Sequence, residues 1–415
     1  MSVERAVLVT LKYQGGPADS AESLAELERL TATAGGEVAA CRTYSRPRPE
    51  AALFLGSGQT EELGRFLKTR NADLLIVDHE LRPIQQRNLE EALQIKVIDR
   101  TQLILDIFAQ RAHSHEGKLQ VELAQLSYLL PRLIGQGSML SRLGGGIGTK
   151  GPGESKLEYD RRRVRQRITH LKQQIETLKR TRALQRKDRQ GVPLPLVSLV
   201  GYTNAGKSAL LTALTRTPTL VADKLFATLD STTRKFILPP SLEVLLTDTV
   251  GFIRRLPHYL VAAFRSTLDE VLSADVLLHV VDAAHGEWEA QMRVVEQVLQ
   301  ELGAEGKPVI LVLNKMDLVR PMRRRRLAHQ FPEGVQISAL SGDGLDVLRT
   351  ALAERLTRAW PLYTFQVPYE RSEVRSLLVR RGRLLKETYG QKQVTLKIQV
   401  PPQIAGQFKT FRKNS

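Results

Sequence analysis

The sequence predicts a multidomain α/β protein. An N-terminal α/β domain (1–112) leads into an antiparallel helical hairpin (113–190). A second α/β domain (191–358) is built on a phosphate-binding loop, and a small basic α+β domain (359–415) closes the chain. Three observations predict this. Strand-length apolar runs alternate with helical patterns in two separate stretches. Between those stretches lie two leucine-rich helical seams. The second stretch opens with G-x-x-x-x-G-K-S directly after an apolar strand.

The N-terminal domain comes first. Residues 3–11 read as a strand and 20–34 as a helix. Apolar runs recur at 37–44, 73–78 and 96–99, with helical patterns at 60–70 and 83–94. That alternation implies a mainly parallel sheet. In the hairpin, Leu119, Leu123, Leu126, Leu130 and Leu133 are spaced 4, 3, 4, 3, and so are Val164, Ile168, Leu171, Ile175 and Leu178. Alternating steps of 3 and 4 form a seam that wants a partner helix. Residues 135–153 are too rich in glycine to continue a helix and form the hairpin tip. The dipeptides V-P-L-P at 192–195 mark a boundary. Beyond 358 one strand is legible, Q-V-T-L-K-I-Q-V at 393–400. Tyr363, Phe365 and Tyr369 are expected in the small core of that domain, since a short domain needs its aromatics inside.

The 415 residues are 42% hydrophobic, enough for real cores, so a disordered or collagen-like chain is excluded. A single cysteine, Cys41, excludes a disulfide framework. The start lacks an apolar leader, and no stretch reaches the ~18 apolar residues of a membrane span, so a soluble, cytoplasmic protein is expected. The net charge of +17 is unevenly held. Residues 1–140 are net −2, residues 141–190 net +10, residues 191–358 net +1 and residues 359–415 net +8. Two lopsided segments are the footprint of a phosphate-backbone contact surface. Within the first, Arg142 and Lys150 sit among the tip glycines, and Arg161, Arg162, Arg163, Arg165 and Arg167 follow. These seven are the candidate RNA contacts. Arg323 to Arg326 read as a solvated helix start.

The phosphate loop is Gly201, Tyr202, Thr203, Asn204, Ala205, Gly206, Lys207 and Ser208. Its amides would turn around the β-phosphate, Lys207 would reach the β- and γ-phosphates, and Ser208 would ligate Mg²⁺. The base follows from Asn314, Lys315, Met316 and Asp317. A carboxylate can accept from both the ring N–H and the exocyclic amine of guanine, and adenine offers no such pair. Asp317 therefore selects guanine, Asn314 braces the loop and Lys315 covers the base plane. Ser338, Ala339 and Leu340 follow another strand and offer amides to the guanine carbonyl. Asp248, Thr249, Val250 and Gly251 form the segment that meets Mg²⁺ through water and senses the γ-phosphate. Four such motifs in order, each after a strand, make 191–358 a P-loop GTPase domain. The switch segment contains Phe226, Ala227, Thr228, Leu229 and Asp230. Thr228, 20 residues after Ser208, is expected to complete the Mg²⁺ shell, with Thr232 and Thr233 as alternatives. Phe252 stands where a water-orienting Gln often sits, so no catalytic side chain is assigned.

Taken together, G-Y-T-N-A-G-K-S, L-F-A-T-L-D-S-T-T-R, D-T-V-G-F-I and N-K-M-D resemble the HflX-type GTPases of the Obg–HflX superfamily. So do G-P-G-E-S-K-L-E-Y-D-R-R-R (151–163), V-I-D-R-T-Q-L-I-L-D-I-F-A-Q-R-A (97–112) and E-G-K-L-Q-V-E-L-A-Q-L-S-Y-L-L-P-R-L (116–133). Small departures are Ser231 in place of Pro and Gln59 in place of Lys. The resemblance implies GTP hydrolysis with Mg²⁺ and GTP/GDP, and binding to rRNA of the large ribosomal subunit. It also implies dissociation of stalled or idle ribosomes, by a chain expected to act as a monomer without membrane insertion. Two other classes are less well served. An RNA-processing or ribosome-assembly enzyme would need a catalytic constellation outside 196–358. A membrane-surface GTPase would need an amphipathic or lipidated tail.

Overall fold

The computed structural model describes residues 4–14, 20–133, 156–187, 194–216, 225–226, 228–255 and 265–413. They fall into two compact units. The first holds the described residues up to Arg180 together with Leu225 and Phe226, and the second holds the remainder.

The first unit is an α/β layer with a helical hairpin. Its strands are β1 (Arg5–Lys12), β2 (Glu37–Ser45), β3 (Leu74–Val77) and β4 (Lys96–Asp99). All pair in parallel in the order β2-β1-β3-β4. The continuous apolar runs of β1 and β3 are buried on both faces, which is why they do not alternate. Helices α1 (Ser20–Ala34), α2 (Ser57–Thr69), α3 (Pro83–Leu93) and α4 (Arg100–Arg111) connect and cover them. Leu63, Leu67, Leu89 and Leu93 of α2 and α3 pack on Val7, Val9, Leu75 and Val77. Asp99 ends β4 and caps α4 by accepting from the Gln102 amide at 2.8 Å. It also accepts from the Leu81 amide and from Arg132, each at 3.0 Å. Arg100 is buried between Asp78, at 2.9 Å, and Glu26. These bonds give the V-I-D-R segment its physical meaning: an unpaired buried charge would cost several kcal/mol, so both charges are matched. Phe226 packs edge-on against Phe108 of α4, with ring centroids 4.7 Å apart.

Arg132 lies on α5 (His115–Arg132), which runs beside α6 (Lys156–Lys187). Leu119, Leu123 and Leu171 form the seam, flanked by Leu126, Ile168, Ile175 and Leu178. The glycine-rich tip lies outside the described residues.

The second unit carries a six-stranded sheet in the order β10-β9-β8-β5-β7-β6. Its strands are β5 (Leu196–Gly201), β6 (Thr232–Leu238), β7 (Leu242–Asp248), β8 (Val276–Asp282), β9 (Val309–Asn314) and β10 (Val335–Gln336). Only the β6–β7 pair is antiparallel. Helices α7 (Lys207–Thr215), α8 (Arg265–Ser273), α9 (Trp288–Glu301), α10 (Pro321–Gln330) and α11 (Leu345–Thr357) accompany it. Ligands of such sheets bind beyond the carboxyl ends of the strands. Four of the predicted motifs leave β5, β7, β9 and β10 at those ends.

The C-terminal part of this unit has three strands where the sequence showed one. They are β11 (Leu362–Pro368), β12 (Arg383–Tyr389) and β13 (Gln393–Gln399), antiparallel in the order β11-β13-β12. Helices α12 (Ser372–Arg381) and α13 (Pro402–Gln407) cover one face of this sheet. Phe365 is at its centre and Tyr363 packs at its edge. Tyr369 departs from expectation. It stays exposed, and its hydroxyl donates to the Gly390 carbonyl at 2.6 Å, tying the turn between β12 and β13.

Candidate nucleotide-binding site

The phosphate loop runs from the end of β5 into α7. Gly206 caps α7 with φ +93, a left-handed conformation that glycine adopts without penalty. A side chain there would also run into the Asn314 amide. The Lys207 ammonium is buried and donates to the carbonyls of Gly201 (3.1 Å) and Tyr202 (2.9 Å). Burial lowers its pKa to about 8, against the pull of nearby Asp248. Burial raises the Asp248 carboxyl, and Lys207, Ser208 and Thr228 oppose that rise.

Three oxygens converge in front of α7. Ser208 Oγ donates to Asp248 Oδ2 at 2.6 Å and lies 2.7 Å from Thr228 Oγ1. Asp248 Oδ1 is buried with no hydrogen-bond partner. Two hydroxyls backed by a carboxylate with a spare buried oxygen suit a small, hard cation such as Mg²⁺. Thr232 and Thr233 lie elsewhere: both are in β6, where Thr233 Oγ1 meets Thr247 Oγ1 at 2.8 Å.

The segment after β7 is laced to the phosphate loop. Thr249 Oγ1 donates to the Leu199 carbonyl at 2.6 Å. The Phe252 amide donates to Gly201 O at 3.1 Å, and Phe252 O accepts from the Thr203 amide at 2.7 Å. Gly251 lies between these bonds. A Cβ there would stand 2.7 Å from Thr203 Cα and 3.0 Å from Lys207 Nζ, so only glycine allows so close an approach. Val250 and Leu229 are buried, while Asp230 is half-buried.

The loops after β9 and β10 are held by one side chain. Asn314 Nδ2 donates to Ala205 O at 2.9 Å, and Asn314 Oδ1 accepts from the Ala339 amide at 3.0 Å. Met316 N donates to Ile337 O at 3.1 Å. Asn314 thus ties the N-K-M-D loop to the phosphate loop and to Ser338–Ala339–Leu340. Asp317 is exposed, leaving its carboxylate open, and Leu340 projects into solvent. Lys315 pairs with Asp282, at the end of β8, at 2.7 Å.

Comparison with known proteins decides the family. Residues 21–109 match the family described as GTP-binding GTPase N-terminal, and 111–189 match GTP-binding GTPase Middle Region. Residues 196–315 match 50S ribosome-binding GTPase. The chain is 48% identical over 410 residues to GTPase HflX of Caldanaerobacter subterraneus subsp. tengcongensis, covering 98% of this chain and 94% of the relative. It is 43% identical to GTPase HflX of Escherichia coli K12, covering 96% and 94%. The chain belongs to the HflX family of GTPases. Among solved structures, it is similar to a GTP-binding protein from Sulfolobus solfataricus in complex with GDP. That likeness has 25% identity, a TM-score of 0.44, and coverage of 86% of this chain and 99% of that one.

The other residues singled out in this HflX-family sequence are dispersed. Phe226 lies in the first unit, against Phe108, and Ala227 is outside the described residues. Arg142 and Lys150 are also outside them. On α6, Arg167 is committed to a two-pronged pair with Glu122 on α5, at 2.7 and 2.8 Å, so it holds the hairpin together. Arg162 and Arg163 lie about the Tyr159 ring and are exposed, as is Arg165, while Arg161 is half-buried. In the Arg323–Arg326 run, Arg323 donates to His285 O at 3.1 Å and Arg324 to Val319 O at 3.1 Å, so two of the four brace loops. Sequence reasoning missed Asp282 as the partner of Lys315; the signal was the D-A that ends the apolar run V-L-L-H-V-V. Tyr202 is expected in the phosphate loop, but not the bond its hydroxyl accepts from the Arg254 amide at 3.0 Å.

Proposed function

We propose that this chain is a Mg²⁺-dependent GTPase that docks on the large ribosomal subunit, dissociates stalled or idle ribosomes and hydrolyses GTP slowly until docked. It would act as a monomer with functional divisions at residues 112, 190 and 358. In this reading the loop 201–208 holds the phosphates, Asp317 reads the guanine, and Ser208 and Thr228 hold Mg²⁺ with Asp248 behind them. Bound Mg²⁺ would supply positive charge against the phosphate oxygens. The chain's own residues position GTP and keep bulk water off Lys207.

The observation that carries the reading is Phe252. Water attack on a γ-phosphate needs a group that orients the water. Here the residue after Gly251 is apolar and 2% exposed, with both its backbone groups bonded to the phosphate loop. Ile253 is buried as well, the Arg254 amide is taken by Tyr202, and the Arg254 guanidinium faces Glu287 at 3.4 Å. Among the described residues after Gly251 none is free to orient the water, and in this reading a partner supplies that group. The large subunit is supported by the 50S ribosome-binding description of the matched family and by the exposed arginines of α6.

Co-sedimentation with purified large subunits tests this. Binding with a non-hydrolysable GTP analogue and release with GDP are expected. Equal or absent pelleting in both nucleotides would overturn it.

A further inference from the structure

The open face of the C-terminal sheet follows from its register. In β13, Val394, Leu396 and Ile398 point into the core beneath α12 and α13. Thr395, Lys397 and Gln399 therefore point the other way, since side chains alternate along a strand. Lys397 is exposed although its strand is central, so among the described residues none covers this face at Lys397. Directly across from Lys397 stand Lys386 on β12 and Thr364 on β11. Thr395 is flanked by Thr388 and Gln366, and Gln399 by Arg383 and Leu362.

Two features concentrate positive charge on this face. Like charges directly opposite each other destabilise a sheet, yet Lys386 and Lys397 are such a pair. Among the described residues, no carboxylate stands in these three rows to offset them. Glu387 lies in the row of Leu396, on the helix side, and is held by Arg375 at 2.6 Å. The second feature is a bulge between Leu384 and Lys386. Residues three apart on a regular strand point to opposite faces. The extra residue, Leu385, brings Arg383 and Lys386 onto the same one.

This face continues into a cavity of about 810 Å³. Arg383 and Gln399 border it, and Arg355 of α11, Arg358 just beyond that helix, Ile310 and Phe331 line it too. Glu333 and Glu354 are its two carboxylates, and Glu354 is paired with Arg383 at 3.0 Å. The volume lies within the ~300–1,000 Å³ usual for ligand pockets.

We propose that this face and cavity form a docking surface for RNA: ammonium, guanidinium, hydroxyl and amide groups bind phosphate and ribose along the sheet, and the cavity receives an unstacked nucleotide. RNA is favoured over an acidic protein by what the face contains. Lys, Arg, Thr and Gln are the groups that contact phosphate and sugar. Protein interfaces are anchored by buried aromatic and apolar residues, and Leu362 is the one apolar residue in these three rows. The proposal rests on the ribosome-directed reading above and names a second contact, distinct from α6.

The test uses the full chain carrying Lys386→Glu and Lys397→Glu, with Lys386→Arg and Lys397→Arg as the conservative counterpart. Probes are a fluorescein-labelled 16-nucleotide single-stranded RNA, poly-glutamate and purified large subunits. Melting temperature and GDP affinity should match wild type. The Glu variant should bind the RNA at least ten-fold more weakly and lose about 1.4 from the slope of log K against log salt, at ~0.7 per phosphate contact. The Arg variant should keep both. If wild type fails to pellet with large subunits, the ribosome-directed reading falls. If wild type pellets and the Glu variant matches it in pelleting, RNA affinity and slope, the RNA face falls. Loss of poly-glutamate binding with RNA binding intact would assign the face to an acidic protein and also overturn the proposal.

Discussion

Asn314→Ala is the sharpest perturbation of the nucleotide site, because one side chain joins three loops. It removes the bond to the Ala205 carbonyl (2.9 Å) and the bond from the Ala339 amide (3.0 Å). Asn314 is 2% exposed, so water does not simply take its place. Each buried backbone group left unsatisfied costs about 1–3 kcal/mol. With part of that relieved by relaxation, the loss should be about 2–4 kcal/mol, or roughly 30- to 1,000-fold in affinity. Asn314→Asp separates the two bonds. It keeps an acceptor for Ala339 but turns a carboxylate oxygen toward the Ala205 carbonyl, so it should be no better than Ala. Titration with a fluorescent GDP analogue, beside thermal melts, reads both effects. If the Ala variant melts normally and binds GDP within three-fold of wild type, Asn314 does not organise the pocket.

Three further outcomes are expected. Asp317→Asn should lose about 1–3 kcal/mol of guanine preference and gain affinity for xanthine nucleotides, whose exocyclic oxygen accepts from the amide; competition between GTP and XTP measures it. Reversing Arg162, Arg163 and Arg165 to Glu should weaken large-subunit binding and flatten its salt dependence while GTP binding persists; Arg167→Glu should instead lower the melting temperature, because Arg167 is paired with Glu122. His279 is buried in β8, and burial, with Lys207 adding to it, lowers its pKa to about 4. The unfolded chain then takes up a proton near pH 6.5 that the folded chain refuses. His279 stability is complete above about pH 6.5 and lost as pH falls toward 4, by about 3 kcal/mol in all. Denaturant melts of wild type and His279→Gln across that window should converge as pH falls.

Much of this architecture was legible because local patterns agree with it. The 4-3-4-3 spacing of Leu119, Leu123 and Leu171's neighbours is a direct image of the hairpin seam. The phosphate loop and N-K-M-D could be read because each follows a buried strand. Strands β11 and β12 were hidden. Their exposed rows carry Thr, Gln, Lys and Arg, and the Leu384–Leu385 bulge breaks the two-residue period. The braces of the site were hidden for another reason. Lys315–Asp282 and Tyr202–Arg254 join residues far apart in sequence, so only the folded sheet brings them together. Arg167 looked like its neighbours because a helix face cannot be assigned to a partner acid from one strand of the hairpin alone.

Single-turnover GTP hydrolysis with and without purified large subunits is the most direct measurement. Phe252 is apolar and buried, and among the described residues that follow Gly251 no side chain is placed to orient the water. The rate should therefore be low alone and rise by at least about ten-fold on the subunit, with little change in nucleotide affinity. A fast intrinsic rate that large subunits leave unchanged would contradict the account.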